Sequence, residues 1–88
     1  MTSARMARLL ELSEKDFASA LEAMIDEELF STMKDLEEAS EAQVGGGRSV
    51  EETATFSRTV LTENEIERRF PGQLLAPYRE WRKRRDTL

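Results

Sequence analysis

The chain has 88 residues, 39% hydrophobic and 35% charged, with a formal net charge of −5, so we predict one small domain over residues 1–88. It contains no cysteine and no histidine, which removes disulfides, the usual zinc and iron ligands, the thiolate nucleophile and the usual general base near neutral pH. We therefore expect no enzymatic activity, no cofactor and no metal site, and a reducing, cytoplasmic location.

Charge is distributed unevenly along the chain. Residues 1–44 carry four basic and eleven acidic side chains, whereas residues 45–88 carry nine basic and seven acidic ones. The longest purely apolar stretch, residues 74–77, is far shorter than the roughly 20 residues of a membrane span, and we find no signal-peptide pattern. We expect an acidic first half, a basic carboxyl-terminal end and no membrane partner.

The first predicted element is a short helix over about residues 3–11, and the second is a long helix over 14–43. Ser13 can accept the amide hydrogen bond of an N-cap, and Asp16 stands three residues later, where an acid favours the helix dipole. No glycine or proline interrupts the chain from there to Gly45. We therefore predict a long central helix with shorter helices on either side.

Apolar side chains cover much of the circumference of this long helix. A stripe this wide needs packing on two sides, more than a chain of this length readily supplies. The spacing 25, 29, 32, 36, 39 also matches two heptads of a coiled-coil seam, as an alternative to globular packing. We predict that another protein, or a second copy in a homodimer, covers the stripe. The predicted partner-binding residues are Ile25, Leu29, Phe30, Met33, Leu36 and Trp81.

A glycine-rich hinge is predicted at residues 44–48, between the acidic half (1–43) and the second half (49–88). Three consecutive glycines end the long helix and permit left-handed backbone at no steric cost. Ser49 then begins a capping-box pattern. Residues 53–61 leave strand and helix open. Alternating β-branched residues indicate a strand, but no second strand pattern exists to pair with it, so we favour a helix or an irregular segment.

The second half is predicted to fold back onto the long helix. Thr62 and Glu65 have capping-box spacing, which indicates a helix start, and Pro71-Gly72 ends that helix. A last helix begins near Pro77, where a missing amide hydrogen is tolerated. The apolar residues expected to cover the stripe are Phe56, Val60, Leu61, Ile66, Phe70 and, in one of two interpretations, Trp81.

The basic end combines cationic and aromatic side chains. Tyr78 and Trp81 stand among Arg79, Arg82, Lys83, Arg84 and Arg85. Such a mixture suits phosphate contacts and base stacking, or docking onto an acidic partner. Trp81 can instead seal the core against residues 74–75, and an exposed Trp81 would be a binding hot spot.

The predicted fold class is all-α, with a long central helix and shorter flanking helices that form a helical hairpin or a small bundle. As an alternative, dimerisation completes the bundle. The predicted function is a non-enzymatic protein–protein interaction module, a small regulator, adaptor or accessory subunit. The alternative is a nucleic-acid-binding protein that uses the basic end. Metal-dependent catalysis comes third, because Glu22 and Asp26 share a helix face but no second acidic motif follows.

Overall fold

The computed structural model describes the backbone of residues 4–43 and 50–86, and the side chains of residues 4–41 and 53–86. Within these ranges the chain forms five helices and no strand, which confirms the predicted all-α fold as a small bundle. The helices are α1 (Ala4–Glu11), α2 (Glu14–Ala23), α3 (Asp26–Gln43), α4 (Val50–Arg69) and α5 (Ala76–Asp86). The hinge at 44–48 and the capping box at Ser49 lie outside the described residues.

The junction between α1 and α2 follows the local signals in the sequence. The Ser13 hydroxyl accepts a hydrogen bond from the Asp16 amide at 3.1 Å, which confirms the predicted N-cap. Phe17, in the first turn of α2, is fully buried, and Leu12 packs against the core just before the cap. The cap and these two apolar side chains therefore set the angle at which α2 begins.

The predicted long helix over 14–43 is divided in two at Met24 and Ile25. Met24 has an extended backbone (φ −77°, ψ 144°), which ends α2. The Ile25 amide then donates a hydrogen bond to the Glu28 carboxylate at 3.1 Å, so this side chain satisfies an amide at the start of α3. The first turn of α3 carries three acidic residues, which favour a helix start there through the helix dipole.

Helix α4 is continuous over 20 residues. Residues 53–61, for which strand and helix were both open, are helical. The predicted helix start at Thr62 is wrong, because Thr62 lies fully buried inside α4. Its hydroxyl donates to the Arg58 carbonyl at 2.7 Å, a bond within the helix that replaces the capping bond.

A tight turn over residues 70–75 joins α4 to α5. Pro71 and Gly72 follow the last turn of α4, as predicted, and Gly72 has a φ of +79°. Leu74 and Leu75 also have positive φ, 51° and 65°. Because a Cβ atom crowds the backbone in this left-handed region, the turn holds both leucines under strain.

The apolar core lies between the helices. Helix α3 packs against α4 and α5, and α2 packs against α4. The buried apolar residues are Met6, Phe17, Leu21, Leu29, Phe30, Met33, Leu36, Ile66, Tyr78 and Trp81. None of the described helices has the length and apolar character that crossing a bilayer requires.

Candidate protein-interaction surface

Most of the predicted partner-binding side chains lie inside the folded monomer. Leu29, Phe30, Met33, Leu36 and Trp81 are each at most 8% exposed. The physical reason is that the turn after α4 and helix α5 cover the stripe: the Phe30 ring lies 6.0 Å from those of Phe70 and Tyr78 and 5.9 Å from that of Trp81. Their role in binding stays a prediction, and only small parts of these side chains are accessible in the monomer. Ile25 is the exception, at 65% exposed.

The predicted basic contacts lie on α5, but two of the arginines also hold that helix in place. The sequence singled out Arg79, Arg82, Lys83, Arg84 and Arg85. Arg82 donates to the Glu37 carboxylate and, at 3.2 Å, to the Tyr78 hydroxyl. Arg85 lies 3.4 Å from a carboxylate of α3 and 5.0 Å from the centroid of the Trp81 ring. These two cations are therefore engaged within the chain.

The two aromatic residues of α5 belong to the core. Tyr78 is 3% and Trp81 8% exposed, so neither ring is free to stack on a base. Burial first, and the hydrogen bond to Glu37 second, raise the pKa of Tyr78 well above its usual value near 10. The phenol therefore stays protonated and donates to Glu37. The pKa of Arg82 is also raised, chiefly by its hydrogen bond with Tyr78.

An open cleft between α3 and α4 adjoins Phe56, the most exposed apolar side chain that the structure describes on α4. We call it the α3–α4 cleft, and its volume is about 360 Å³. Phe56 lines it and is 72% exposed, and Val60, one turn further along α4, is 39% exposed. The side chains that set its chemistry are the apolar Met33, Phe56 and Leu75 and the carboxylates of Glu37, Glu41 and Glu63.

The cleft is electrostatically one-sided. Among the described residues that line it, none is basic. Glu37 is neutralised by Arg82. Glu41 and Glu63 form no ion pair with any residue in the described ranges. The accessible part of the cleft thus combines apolar surface with two carboxylates that no described residue pairs with.

A second, smaller groove lies at the break between α2 and α3, with a volume of about 240 Å³. It brings together Ile25, Trp81 and Arg85, three residues that the sequence had singled out separately. The Arg85 guanidinium and the Glu27 carboxylate line it as an ion pair at 3.4 Å. Its charges are thus partly balanced within the chain.

The sequence reasoning assigned Phe56 and Val60 to the core, and this assignment is wrong. Thr55, Thr62 and Ile66 form the buried stripe of α4, each at most 1% exposed. At about 100° per residue, Phe56 and Val60 lie about 100° and 140° around the helix from Thr55, on its flank and outer side and not on the buried stripe. Helical periodicity over 53–61 could have revealed this, but the sequence alone left strand and helix open over this segment.

Chemical groups and comparisons add no further assignment. Within the described ranges, no group of three or more carboxylates is arranged to hold a metal ion. Comparison with known proteins finds no family model, curated protein or solved structure that matches this chain. Function is therefore inferred from the exposed surfaces of the protein.

Proposed function

We propose that this protein is a non-enzymatic protein–protein interaction module, a small regulator, adaptor or accessory subunit, whose contact surface is Phe56, Val60 and the α3–α4 cleft. The observation that carries the proposal is the 72% exposure of Phe56 on a helix whose other side is packed into the core. Fully burying a phenylalanine side chain contributes roughly 1.5–3 kcal/mol. A partner that covers Phe56 and Val60 together gains a substantial part of its binding free energy there.

The rigidity of α4 supports this role. On its inner side Arg58 bonds to the Leu12 carbonyl at 2.5 Å, and Arg69 bonds to the Leu21 carbonyl at 2.9 Å. The middle and the carboxyl-terminal end of α4 are thereby fixed to the amino-terminal half. A surface that is already ordered loses little conformational entropy when a partner binds.

The nucleic-acid alternative has less support from the geometry. Tyr78 and Trp81 are buried, and Arg82 and Arg85 are held by carboxylates of α3. Backbone phosphates contribute most of the affinity of such proteins, and a net charge of −5 opposes them outside the immediate patch. Binding to protein therefore remains the preferred proposal.

An enzymatic role also has little support in the cleft. Its polar lining consists of carboxylates and the hydroxyls of Ser40 and Thr59. The Thr59 hydroxyl is directed into its own helix, donating to the Thr55 carbonyl at 2.8 Å. A contact surface accounts for this combination of groups more simply than a reacting centre does.

The proposal includes a cytoplasmic location and admits a second copy as partner. A homodimer and a complex with another protein differ in mass, which sedimentation equilibrium measures directly. We expect a monomer at low concentration, because the core is closed within one chain, and association only when the exposed surface meets its partner.

Site-specific photo-crosslinking tests the proposal. Phe56→benzoylphenylalanine places the reactive group at the centre of the proposed surface, and Glu80→benzoylphenylalanine places it at an exposed position of α5 as the control. In the native cells we expect a discrete crosslinked species from position 56 and none, or a different one, from position 80. The same weak smear of products from both positions contradicts a contact surface at Phe56.

A further inference from the structure

We propose that the α3–α4 cleft binds a basic amphipathic helix of another protein, which inserts an apolar side chain against Phe56 and Leu75 and places lysine or arginine beside Glu41 and Glu63. This inference rests on the proposed function and names the chemistry of the partner segment.

The apolar part of the cleft sets the first requirement on the occupant. Met33 closes it as a buried floor, 3% exposed, while Phe56 and the partly buried Leu75 line it. A volume of about 360 Å³ lies near the lower limit of ordinary ligand pockets, roughly 300–1,000 Å³. Helix-in-groove recognition fills such a space with one or two apolar anchors spaced three or four residues apart.

The charge of the cleft sets the second requirement. Glu41 on α3 and Glu63 on α4 lie on the two helices that form its walls, and neither has an ion-pair partner among the described residues. A lysine or arginine can lay its aliphatic stem along Phe56 while its charged head reaches a carboxylate. The net charge of −5 also speeds the approach of a cationic segment.

A second copy of this chain does not meet both requirements. The cationic helices are α1 and α5, and the exposed large apolar residues in the described ranges are Ile25, Phe56, Val60 and Leu74, none of which lies on either helix. Helix α5 uses its own Tyr78 and Trp81 in the core. Leu9 and Leu10 of α1 are partly buried, because they pack against the core of their own chain. Among the described residues, another copy would therefore bring positive charge without a fully exposed anchor, which favours a different protein as the occupant.

A synthetic peptide provides the probe. The peptide has about 15 residues, long enough for a stable helix, with leucines at helical spacing and lysines on the remaining face. A control peptide keeps every leucine and replaces every lysine by glutamate. With the full-length protein, titration followed by peptide fluorescence anisotropy is expected to show saturable binding of the basic peptide, and at least tenfold weaker binding of the acidic one.

Matched variants locate the binding. Phe56→Ala is expected to weaken binding of the basic peptide by about tenfold or more. Ile25 is a similarly exposed apolar residue outside the cleft, and Ile25→Ala should leave peptide binding unchanged. The double change Glu41→Lys with Glu63→Lys is expected to weaken binding of the basic peptide at low salt, whereas Glu80→Lys on α5 should have only a small effect on it. Far-ultraviolet circular dichroism checks that each variant is folded.

The outcomes separate this inference from the proposed function. Equal binding of both peptides, or binding that Glu41→Lys with Glu63→Lys leaves intact, overturns the basic-helix assignment. A dimer in sedimentation that Phe56→Ala dissociates also overturns it, in favour of a second copy. If position 56 still crosslinks to a protein that the basic peptide does not displace, the interaction role stands and only the partner chemistry fails.

Discussion

The Arg69 guanidinium donates a hydrogen bond to the backbone carbonyl of Leu21 at 2.9 Å, across 48 positions of the chain. The same side chain donates to Asp26 at 2.9 Å and to Glu65 at 2.8 Å. It thus satisfies a carbonyl at the end of α2 and holds an acid at the start of α3. One arginine of α4 therefore bridges both sides of the break at Met24.

Arg58 plays a similar part at the junction of α1 and α2. Its guanidinium donates to the Leu12 carbonyl at 2.5 Å and lies 5.8 Å from the centroid of the Phe17 ring. Arg58 and Arg69 stand about three turns apart on the same side of α4. Helix α4 therefore fixes both helix junctions of the amino-terminal half, while Phe56 and Val60 stay exposed.

We expect Arg69→Ala to lower the free energy of unfolding by about 2 kcal/mol, because hydrogen bonds to charged groups contribute roughly 1.5–3 kcal/mol and this side chain is only 15% exposed. Arg68 is also a partner of Glu65, but the Arg68 side chain is 62% exposed, so solvent screens the ion pair and Arg68→Ala should have a much smaller effect than Arg69→Ala. Urea unfolding of both variants measures the difference. Equal effects would show that Arg69 does not stabilise the junction.

The second prediction concerns the stability of the protein at low pH. The pKa of Glu65 is lowered, and the largest cause is its hydrogen bond with Arg68. Burial raises the pKa, but the hydrogen bond with Arg69 lowers it further. Since the folded pKa lies below the unfolded one, this stabilisation is complete above the usual carboxyl pKa, about 4.3, and is lost as pH falls through the folded value. Urea midpoints from neutral pH to about pH 3 should therefore fall less steeply for Glu65→Gln than for the wild type.

The third prediction concerns the ionisation of Tyr78, the single tyrosine of the chain, at high pH. Burial, then Glu37, raise the pKa of Tyr78, so the folded protein retains a proton that the unfolded chain releases near pH 10. Stability is thus complete below that pH and declines above it. Tyrosinate absorbance should appear at higher pH in the native protein than in urea.

Glu37→Gln serves as the matched variant for the alkaline titration. Removing the carboxylate should move the midpoint of Tyr78 ionisation towards, but not onto, the value of the unfolded chain, because burial is the larger cause. Coincident titration curves for native and unfolded wild-type protein would contradict the buried position of Tyr78.

Features with local causes could be predicted from the sequence. Ser13 caps α2 through a bond to a residue three positions away, and Pro71-Gly72 follow the end of α4 where the sequence placed a stop. The break at Met24 has a local signal as well, because three acids open α3 and the Glu28 carboxylate accepts from the Ile25 amide. This signal is weaker than a glycine or a proline, and Arg69, which bonds on both sides of the break, lies more than 40 positions away. Long-range hydrogen bonds leave no periodic trace in the sequence.

The buried side of α4 misled the sequence reasoning for a related reason. Thr62 and Glu65 have the spacing of a capping box, yet both are buried in the middle of a helix. Glu65 is buried because Arg68 and Arg69 neutralise it. With polar residues on the inner side, Phe56 was assigned to the core, and the candidate site became recognisable only when the orientation of α4 was known.

The fourth prediction separates two neighbouring residues of the predicted binding stripe. Leu29 is fully buried and Ile25 is 65% exposed. We expect Leu29→Ala to destabilise the protein by about 3 kcal/mol, within the roughly 2–5 kcal/mol found for large-to-small core changes. Ile25→Ala should change the free energy of unfolding by less than about 0.5 kcal/mol. Urea unfolding measures both changes. Similar losses of unfolding free energy for the two variants would contradict the buried position of Leu29 and the exposed position of Ile25.

The last prediction concerns the strained turn before α5. Leu74 has a φ of +51° and is 76% exposed, so its side chain loses little if it is replaced. Left-handed backbone costs an ordinary L-residue about 1–2 kcal/mol, whereas asparagine adopts it more readily. Leu74→Asn should therefore raise the free energy of unfolding by up to about 1 kcal/mol.

Leu75 provides the control for this turn, because it shares the positive φ but packs against the core. Leu75→Asn relieves the same strain and loses apolar contact, and burying a leucine fully contributes about 1.5–3 kcal/mol. We therefore expect net destabilisation at position 75 and stabilisation at position 74, both measured by urea unfolding. If Leu74→Asn destabilises instead, the exposed leucine must make contacts that outweigh its backbone strain.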